Sequence, residues 1–463
     1  MAIILQVSSY FVHNFGCRAT QADGAALERQ LLESGMQCAE DAGRADVVVL
    51  NSCTVTASAD RDVRAAIRRI HRENPECRIL VTGCYAQRAP EELAHLPGVS
   101  WVVGNSHKHQ VADLLADSCS DSPGSKQFVS LGTLHRSPDH PIANGPMILV
   151  GDIFAHTELL AAPVFEARTH SEQTRPNLKV QDGCDNRCSF CVIPSVRGQS
   201  RSLPRAEVLR EVRALVDAGY REVVISGINL GRWGRDFERQ VCFEDLVRAI
   251  LDETPLERLR LSSVEPMDWT DELIAMAAGS PRIAKHVHAP LQSGSDRILR
   301  AMHRKYRPWH YAERIHKVRA RMPLAAIGAD VMAGFPGETD ALFEESGDFI
   351  ASLPFTYLHV FTFSARPGTP AAALPGQVPV QMARKRNRIL RELADEKNLG
   401  FRQSLVGQIL DAITLSAGDG ESTEAITDNY SKLRLRGRHV RNQWLRVRVE
   451  GLSADGLVGS SVL

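Results

Sequence analysis

The sequence predicts a mixed α/β chain in three parts: an open α/β sheet, then a partial (β/α)6 barrel, then a small β-barrel. Three observations carry this. Up to about residue 117, short apolar runs alternate with helix-like segments. Between residues 174 and 403 the alternation is more regular and amounts to six strand–helix units. From residue 404 onward apolar and polar residues alternate with a period of two. A length of 463 residues fits roughly three domains at about 150 residues each.

The first part has strand candidates at Tyr10–Phe15, Asp46–Leu50, Arg78–Thr82 and Trp101–Val103. Helices are expected to start near Thr20, Ser58, Gln87 and His107. Residues 118–173 are rich in Ser, Pro, Gly, Asp and His and read as a linker or insertion, with MILVGDIF a strand candidate inside it. The central part offers strands at Asn177–Gln181, Glu222–Ser226, Arg258–Ser262, His286–Leu291, Ile327–Ala333 and Tyr357–Phe363. Helical stretches such as Pro204–Ala218 and Phe243–Thr254 separate them, and a long charged helix, Pro379–Arg402, ends the region. In the tail, QILDAITL, EAITDNYSKLRL and WLRVRVEGL carry the strand pattern.

Composition narrows the function. Lys+Arg and Asp+Glu both number 55, so the formal charge is zero and a nucleic-acid partner would have to be held by local patches. An apolar content of 43% with 24% charged residues excludes wholesale disorder. No apolar run approaches the ~20 residues of a membrane span; the most apolar stretch, Pro146–Phe165, is broken by Asp152, His156 and Glu158. MAIIL is too short for a secretory leader. The expectation is a soluble cytoplasmic protein. Its ten cysteines then call for metal binding or catalysis rather than disulfides.

DGCDNRCSFC sets Cys184, Cys188 and Cys191 in a CxxxCxxC spacing just after the first barrel strand. Three thiolates on one loop can hold three corners of a cubane iron–sulfur cluster and leave the fourth iron open for a small molecule. A zinc knuckle is the alternative, but structural zinc normally takes four ligands and no second CxxC pair exists here. Cys17, Cys53 and Cys84 each follow a successive predicted strand, and in an open α/β sheet the strand ends form one crevice edge. They are either a second three-cysteine ligand set or small hydrophobic fillers. Cys38, Cys77, Cys119 and Cys242 show no such pattern and read as fillers.

Between Tyr430 and Glu450 there are seven Lys+Arg and one acid, with Tyr430 and Trp444 interleaved. On a strand, alternate residues such as Lys432, Arg434, Arg436 and Arg446 share a face that can track phosphates, and an aromatic can stack on a base. A charged, solvated edge strand is the alternative. His303–Arg321 is a second basic stretch, with an exposed barrel helix the equal reading.

These residues resemble the radical SAM methylthiotransferases along nearly the whole chain. DGCDNRCSFCVIPSVRGQSRS is similar to the family's radical SAM cluster loop and the segment after it. NFGCRATQ, NSCTVTASADRDVR and VTGCYAQRAPEEL resemble its N-terminal motifs. LSSVEP, LQSGSDRILRAMHRKY, GADVMAGFPGET and FSARPGTPAA resemble its barrel segments, and ITDNYSKLRL resembles its TRAM domain, a small β-barrel associated with RNA binding. The resemblance implies a flavodoxin-like N-terminal domain and two 4Fe–4S clusters. One, on Cys184, Cys188 and Cys191, would bind S-adenosylmethionine and generate a 5'-deoxyadenosyl radical. The other, on Cys17, Cys53 and Cys84, would present sulfur that a second S-adenosylmethionine methylates. It also implies that Phe190 packs beside the bound adenine.

Gly227, Ser263, Gln292 and Asp330, at predicted strand ends, are further candidates for S-adenosylmethionine contacts. Partners would be tRNA, an electron donor and a sulfur source. The family's branches act on threonylcarbamoyladenosine in tRNA, isopentenyladenosine in tRNA, or an aspartate of a ribosomal protein. CTVTASADR with GCYAQ resembles the threonylcarbamoyladenosine branch most. Two departures stand out: Ala19-Thr20-Gln21 where the family commonly has Val-Asn-Gln, and Ser52 where it has Thr. A non-catalytic iron–sulfur redox sensor is the competing class; the intact loop and the six-unit barrel argue against it.

Overall fold

The computed structural model describes residues 9–119, 145–155, 174–417 and 421–462. Most of the linker expected at 118–173 lies outside the described residues. The chain forms two compact units. The first comprises Met1–Pro163, Gly183–Asp185 and Cys191–Gln199, and the second Val164–Asp182, Asn186–Phe190 and Ser200–Leu463.

The first unit runs β1 (Ser9–Asn14), α1 (Arg18–Glu33), β2 (Gln37–Cys38), β3 (Val47–Ser52), α2 (Ala57–Glu73), β4 (Arg78–Gly83), α3 (Cys84–Arg88), α4 (Pro90–Ala94), β5 (Val99–Gly104), α5 (Val111–Cys119) and β6 (Met147–Leu149). Its sheet is parallel throughout, in the order β2-β1-β3-β4-β5-β6. The central strand β3, VVVLNS, is buried along its whole length, as a parallel strand covered on both faces must be. Strand alternation divides its apolar side chains between two layers. Val47 and Val49 pack with Leu27 and Leu31 of α1 and with Val111 and Leu115 of α5. Val48 and Leu50 pack with Val63, Ile67 and Ile70 of α2 and with Tyr85 and Leu93. Thr56 starts α2 by accepting a hydrogen bond from the Ala59 N–H at 3.2 Å.

The second unit contains β7 (Asn177–Asp182), and the cluster loop then leads into α6 (Ile193–Arg197), which is counted with the first unit. The barrel continues through β8 (Arg201–Ser202), α7 (Arg205–Asp217), β9 (Glu222–Gly227), α8 (Phe243–Glu253), β10 (Arg258–Leu261), α9 (Asp271–Gly279), β11 (His286–His288), α10 (Asp296–Ala301), α11 (Pro308–Arg321), β12 (Ala326–Ala333), α12 (Asp340–Ser352), β13 (Tyr357–Thr362) and α13 (Val380–Ser404). Strands β10-β9-β7-β8 form one sheet and β11-β12-β13 another. Bridges Leu259↔Ile283 and Ser263↔His288 join them. The six parallel strands therefore make a partial barrel, with the antiparallel β8 beside β7 at one margin and β13 at the other.

β11 is shorter than the sequence pattern predicts. Pro290 has no N–H to give the ladder, and Gln292 adopts φ 69, although Leu291 still donates to the Asp330 carbonyl at 3.1 Å.

The tail folds as β14 (Ile409–Ala417), β15 (Ser422–Thr427), β16 (Lys432–Arg436), β17 (Trp444–Leu452) and β18 (Leu457–Ser461), a closed barrel in the order β14-β15-β16-β18-β17. It is fixed to the central strands by Arg258–Asp411 at 2.9 Å, by Arg260 donating to the Asp428 carbonyl at 3.0 Å, and by Asn429 donating to the Leu324 carbonyl at 2.9 Å. Among the described residues no helix is long and apolar enough to cross a membrane.

Candidate active site: two cysteine trios

Cys17, Cys53 and Cys84 sit at the C-terminal ends of β1, β3 and β4, three adjacent parallel strands. Two glycines permit this convergence. Gly16 has φ 96, and a Cβ there would stand 2.8 Å from the Cys53 Sγ. Gly83 has φ 97, and its Cβ would stand 2.4 Å from the Ser52 carbonyl oxygen. The departures from the family pattern have local roles. The Thr20 hydroxyl lies 3.5 Å from the Cys17 Sγ, and the Ser52 hydroxyl accepts from the Tyr85 N–H at 3.2 Å, just inside the helix that Cys84 begins.

The three thiols influence one another. Burial pushes the Cys53 thiol up to about 12, and Cys84 and then Cys17 add to the rise, while the Val55 backbone N–H and Arg197 oppose it. A buried thiol beside two others is a donor that a cationic cluster relieves. Three thiols at adjacent strand ends are a donor set that fits three corners of a cubane cluster.

Around this trio lies a buried polar frame. Asp23 accepts from Lys108 at 3.0 Å and from Arg197 at 2.9 Å, and all three are almost fully buried. Asn105 donates to the Cys84 Sγ at 3.6 Å and to the Val196 carbonyl at 2.7 Å. Cys84 packs against Val192 and Val196. The motif residues beside Cys53 form a second bracket: Thr54 donates to Asp60 at 2.6 Å, and Arg88 donates to Thr54 at 2.8 Å and to Asp60 at 3.0 Å. Tyr85 is fully buried as a ring, and its hydroxyl joins Arg64 and Glu92.

Cys184, Cys188 and Cys191 lie on the loop between β7 and α6. In the first unit, the Cys184 N–H donates to the Gly198 carbonyl at 3.1 Å, and Gly183 has φ 71 because a Cβ would meet the Gln199 oxygen at 1.8 Å. In the second unit, the Cys188 Sγ accepts from Arg304 at 3.3 Å. Arg304 is buried and also binds Glu265 and the Tyr306 hydroxyl. Burial opposes its charge, but Tyr306, Glu265 and Cys188 outweigh that and keep the guanidinium protonated. Sequence reasoning missed this residue. Ser189 donates to the Ala301 carbonyl at 2.7 Å, and its N–H to that of Met302 at 3.1 Å, so the turn after α10 grips the loop. Phe190 meets Phe335 edge-on, with ring centroids 6.5 Å apart, in a cluster with Ile298, Met302 and Ala371.

The strand-end candidates separate. Gly227 ends β9 against the Gln181 side chain, Ser263 bridges to His288, and Gln292 bridges to Val331. Asp330 lies within β12 and accepts from His288 and His359, each at 3.2 Å. Burial works against its ionisation, but those two histidines outweigh it and hold the carboxyl well below the usual range.

On the C-terminal barrel, Lys432, Arg434 and Arg436 point outward while Leu433 and Leu435 point in. Arg446 points outward from β17. β16 is paired with both β15 and β18, so its basic residues do not guard a sheet edge. Tyr430 stays exposed on one side and packs on the other against His286 at 4.8 Å, with Arg260 5.1 Å from its ring. Trp444 is covered by Arg258 at 4.2 Å. The second basic stretch forms α11, where Arg314 and Lys317 pair with Asp271. Of the unpatterned cysteines, Cys77 is a buried filler, but Cys38 and Cys242 are exposed; Cys242 caps α8.

Residues 9–104 match the family described as Uncharacterized protein family UPF0004, and residues 178–350 match the Radical SAM superfamily. The chain is 34% identical over 429 residues to the threonylcarbamoyladenosine tRNA methylthiotransferase MtaB of Bacillus subtilis (strain 168), covering 92% of this chain and 90% of the relative. The Aquifex aeolicus protein of the same name is also 34% identical, with 94% and 98% covered. A tRNA-2-methylthio-N(6)-dimethylallyladenosine synthase from Syntrophotalea carbinolica is 32% identical, with 87% of each covered. Among solved structures, the radical S-adenosylmethionine methyltransferase TsrM from Kitasatospora setae shares the fold at a TM-score of 0.58 and 16% identity, over 79% of this chain and 77% of that one.

Proposed function

The chain belongs to the radical SAM methylthiotransferases that modify tRNA, and we propose that its substrate is N6-threonylcarbamoyladenosine at position 37, beside the anticodon, which it methylthiolates at C2. The observation that carries this choice is the motif bracket around Cys53 and Cys84. Thr54, Asp60 and Tyr85 lie in CTVTASADR and GCYAQ, the segments that resemble that branch, and Arg88 ties Thr54 and Asp60 to the helix that Cys84 begins. The names of the relatives at 34% identity support the same reading. The dimethylallyladenosine reading is the second one, because relatives so named are 32% identical.

As a radical SAM enzyme the protein uses S-adenosylmethionine and a 4Fe–4S cluster; we assign that cluster to Cys184, Cys188 and Cys191, and a second one to Cys17, Cys53 and Cys84. When bound, the first supplies a 5'-deoxyadenosyl radical from S-adenosylmethionine, and the second supplies the sulfur that becomes the methylthio group. The chain's own residues hold and insulate these groups. Arg304 holds a positive charge beside the Cys188 sulfur and ties it to Glu265. Phe190 offers an aromatic wall on the cluster loop where an adenine can pack. Asn105 donates to the Cys84 sulfur, which lowers the cost of negative charge there. Lys432, Arg434, Arg436 and Arg446 present charge to tRNA phosphates.

The branch is tested by mass spectrometry of tRNA nucleosides from cells with and without the gene. Loss of the methylthio form of threonylcarbamoyladenosine, with the unthiolated nucleoside accumulating, is expected. Loss of the methylthio form of dimethylallyladenosine instead would establish the second reading. Unchanged tRNA would overturn both.

A further inference from the structure

Three adjacent parallel strands of the central barrel each place one metal-binding side chain on the same face. His288 comes from β11, Asp330 from β12 and His359 from β13. The register explains why they meet. His288 is level with Gly328, two residues before Asp330, and Asp330 is level with His359. Residues two apart on a strand share a face, so His286 and His288, Gly328 and Asp330, and Tyr357 and His359 all face one way. Gly328 is required there, since a Cβ would stand 1.9 Å from the Tyr357 ring. That lets the Tyr357 hydroxyl reach the His286 Nε2 at 2.7 Å and the His288 Nδ1 at 2.9 Å.

We propose that His288, Asp330 and His359 form a binding site for a divalent first-row transition metal, distinct from both cysteine trios. The His288 Nε2 and the His359 Nδ1 each lie 3.2 Å from the Asp330 Oδ1, and one ligand atom from each residue falls within 4.8 Å of the others. Two imidazoles and a carboxylate suit zinc or ferrous iron rather than the soft, thiolate-selected ions. The surroundings supply the outer support such sites use. With Tyr357 donating to His286, its oxygen accepts the proton on the His288 Nδ1, and a metal would take the His288 Nε2 lone pair in place of the contact with Asp330. His359 and Asp330 are partly open to solvent, at 56% and 25% side-chain exposure. A metal held by three protein ligands therefore keeps positions for water or for an oxygen atom of a bound molecule.

The test uses the holoenzyme with its clusters reconstituted, so that the cysteines are occupied. Zinc is added and the excess removed by desalting; zinc per chain is then measured, and the bound zinc is examined by X-ray absorption. The expected result is one zinc per chain with nitrogen and oxygen ligands that include imidazole. In His359→Ala, zinc affinity should fall about 100-fold or more while the iron content stays at the wild-type level. No zinc on the wild-type holoenzyme, a sulfur-ligated zinc, or undiminished binding by His359→Ala would each overturn the proposal. The absorption spectrum of the wild type decides the ligand set without relying on any variant.

Discussion

At Gly83 the chain leaves β4 with φ 97, and the Ser52 carbonyl oxygen occupies the place of a side chain. Gly83→Ala is therefore expected to cost about 1–3 kcal/mol and to shift the Cys84 turn. Denaturant unfolding and iron content measure the two effects, and wild-type values for both would contradict this account of the turn. Arg304 poses a different kind of dependence. Its fork joins the Cys188 sulfur, Glu265 and Tyr306, which one ammonium cannot reproduce. Arg304→Lys should lower S-adenosylmethionine cleavage by about 10-fold or more, and wild-type cleavage by that variant would remove Arg304 from the site. The spacing of Cys184, Cys188 and Cys191 is a local signal, whereas the placing of Cys17, Cys53 and Cys84 after strands leaves ligands and fillers equally open without the family resemblance. Arg304 was not legible in the sequence, because it lies 116 residues from the cysteine it touches and nothing in its neighbours marks that contact. His288 and His359 were hidden in the same way, since only the pairing of β11, β12 and β13 brings them together.

Among the elements, α1, the turn before α5 and the end of α6 are joined by one buried carboxylate. Asp23 stands between Lys108 and Arg197, and neutralising it removes one buried carboxylate from both cations. Asp23→Asn should destabilise the first unit by about 3–5 kcal/mol, seen as a fall in the midpoint of thermal unfolding. A midpoint within a degree or two of wild type would mean that the pair is already balanced by solvent. Strand positions were predicted well, because apolar runs bounded by polar turns mark parallel strands directly. Ends were less legible. MILVGDIF forms only the three-residue β6, and the helix expected near Gln87 is instead two short helices separated at Ala89. α4 begins with Pro90, which fits a first helical turn but cannot continue a preceding helix.

For the whole molecule, zero net charge conceals a directed surface. Replacing Lys432, Arg434 and Arg436 together with Ala should weaken tRNA binding and lower the slope of log affinity against log salt by about 2, the value for three lost phosphate contacts. An unchanged slope would place tRNA on another face. The three-part fold, with its partial barrel and closed tail, was legible because each part has its own periodicity; the antiparallel β8 at the barrel margin was not, since a two-residue strand carries no period. A division of work between the two cysteine trios shows most directly on reconstituted wild type, Cys17→Ala and Cys184→Ala supplied with S-adenosylmethionine, reductant and tRNA. Cys17→Ala should keep S-adenosylmethionine cleavage and about half of the iron but make no methylthio product, whereas Cys184→Ala should lose both cleavage and product. Equal cleavage by all three proteins, or methylthio product from Cys17→Ala, would contradict it.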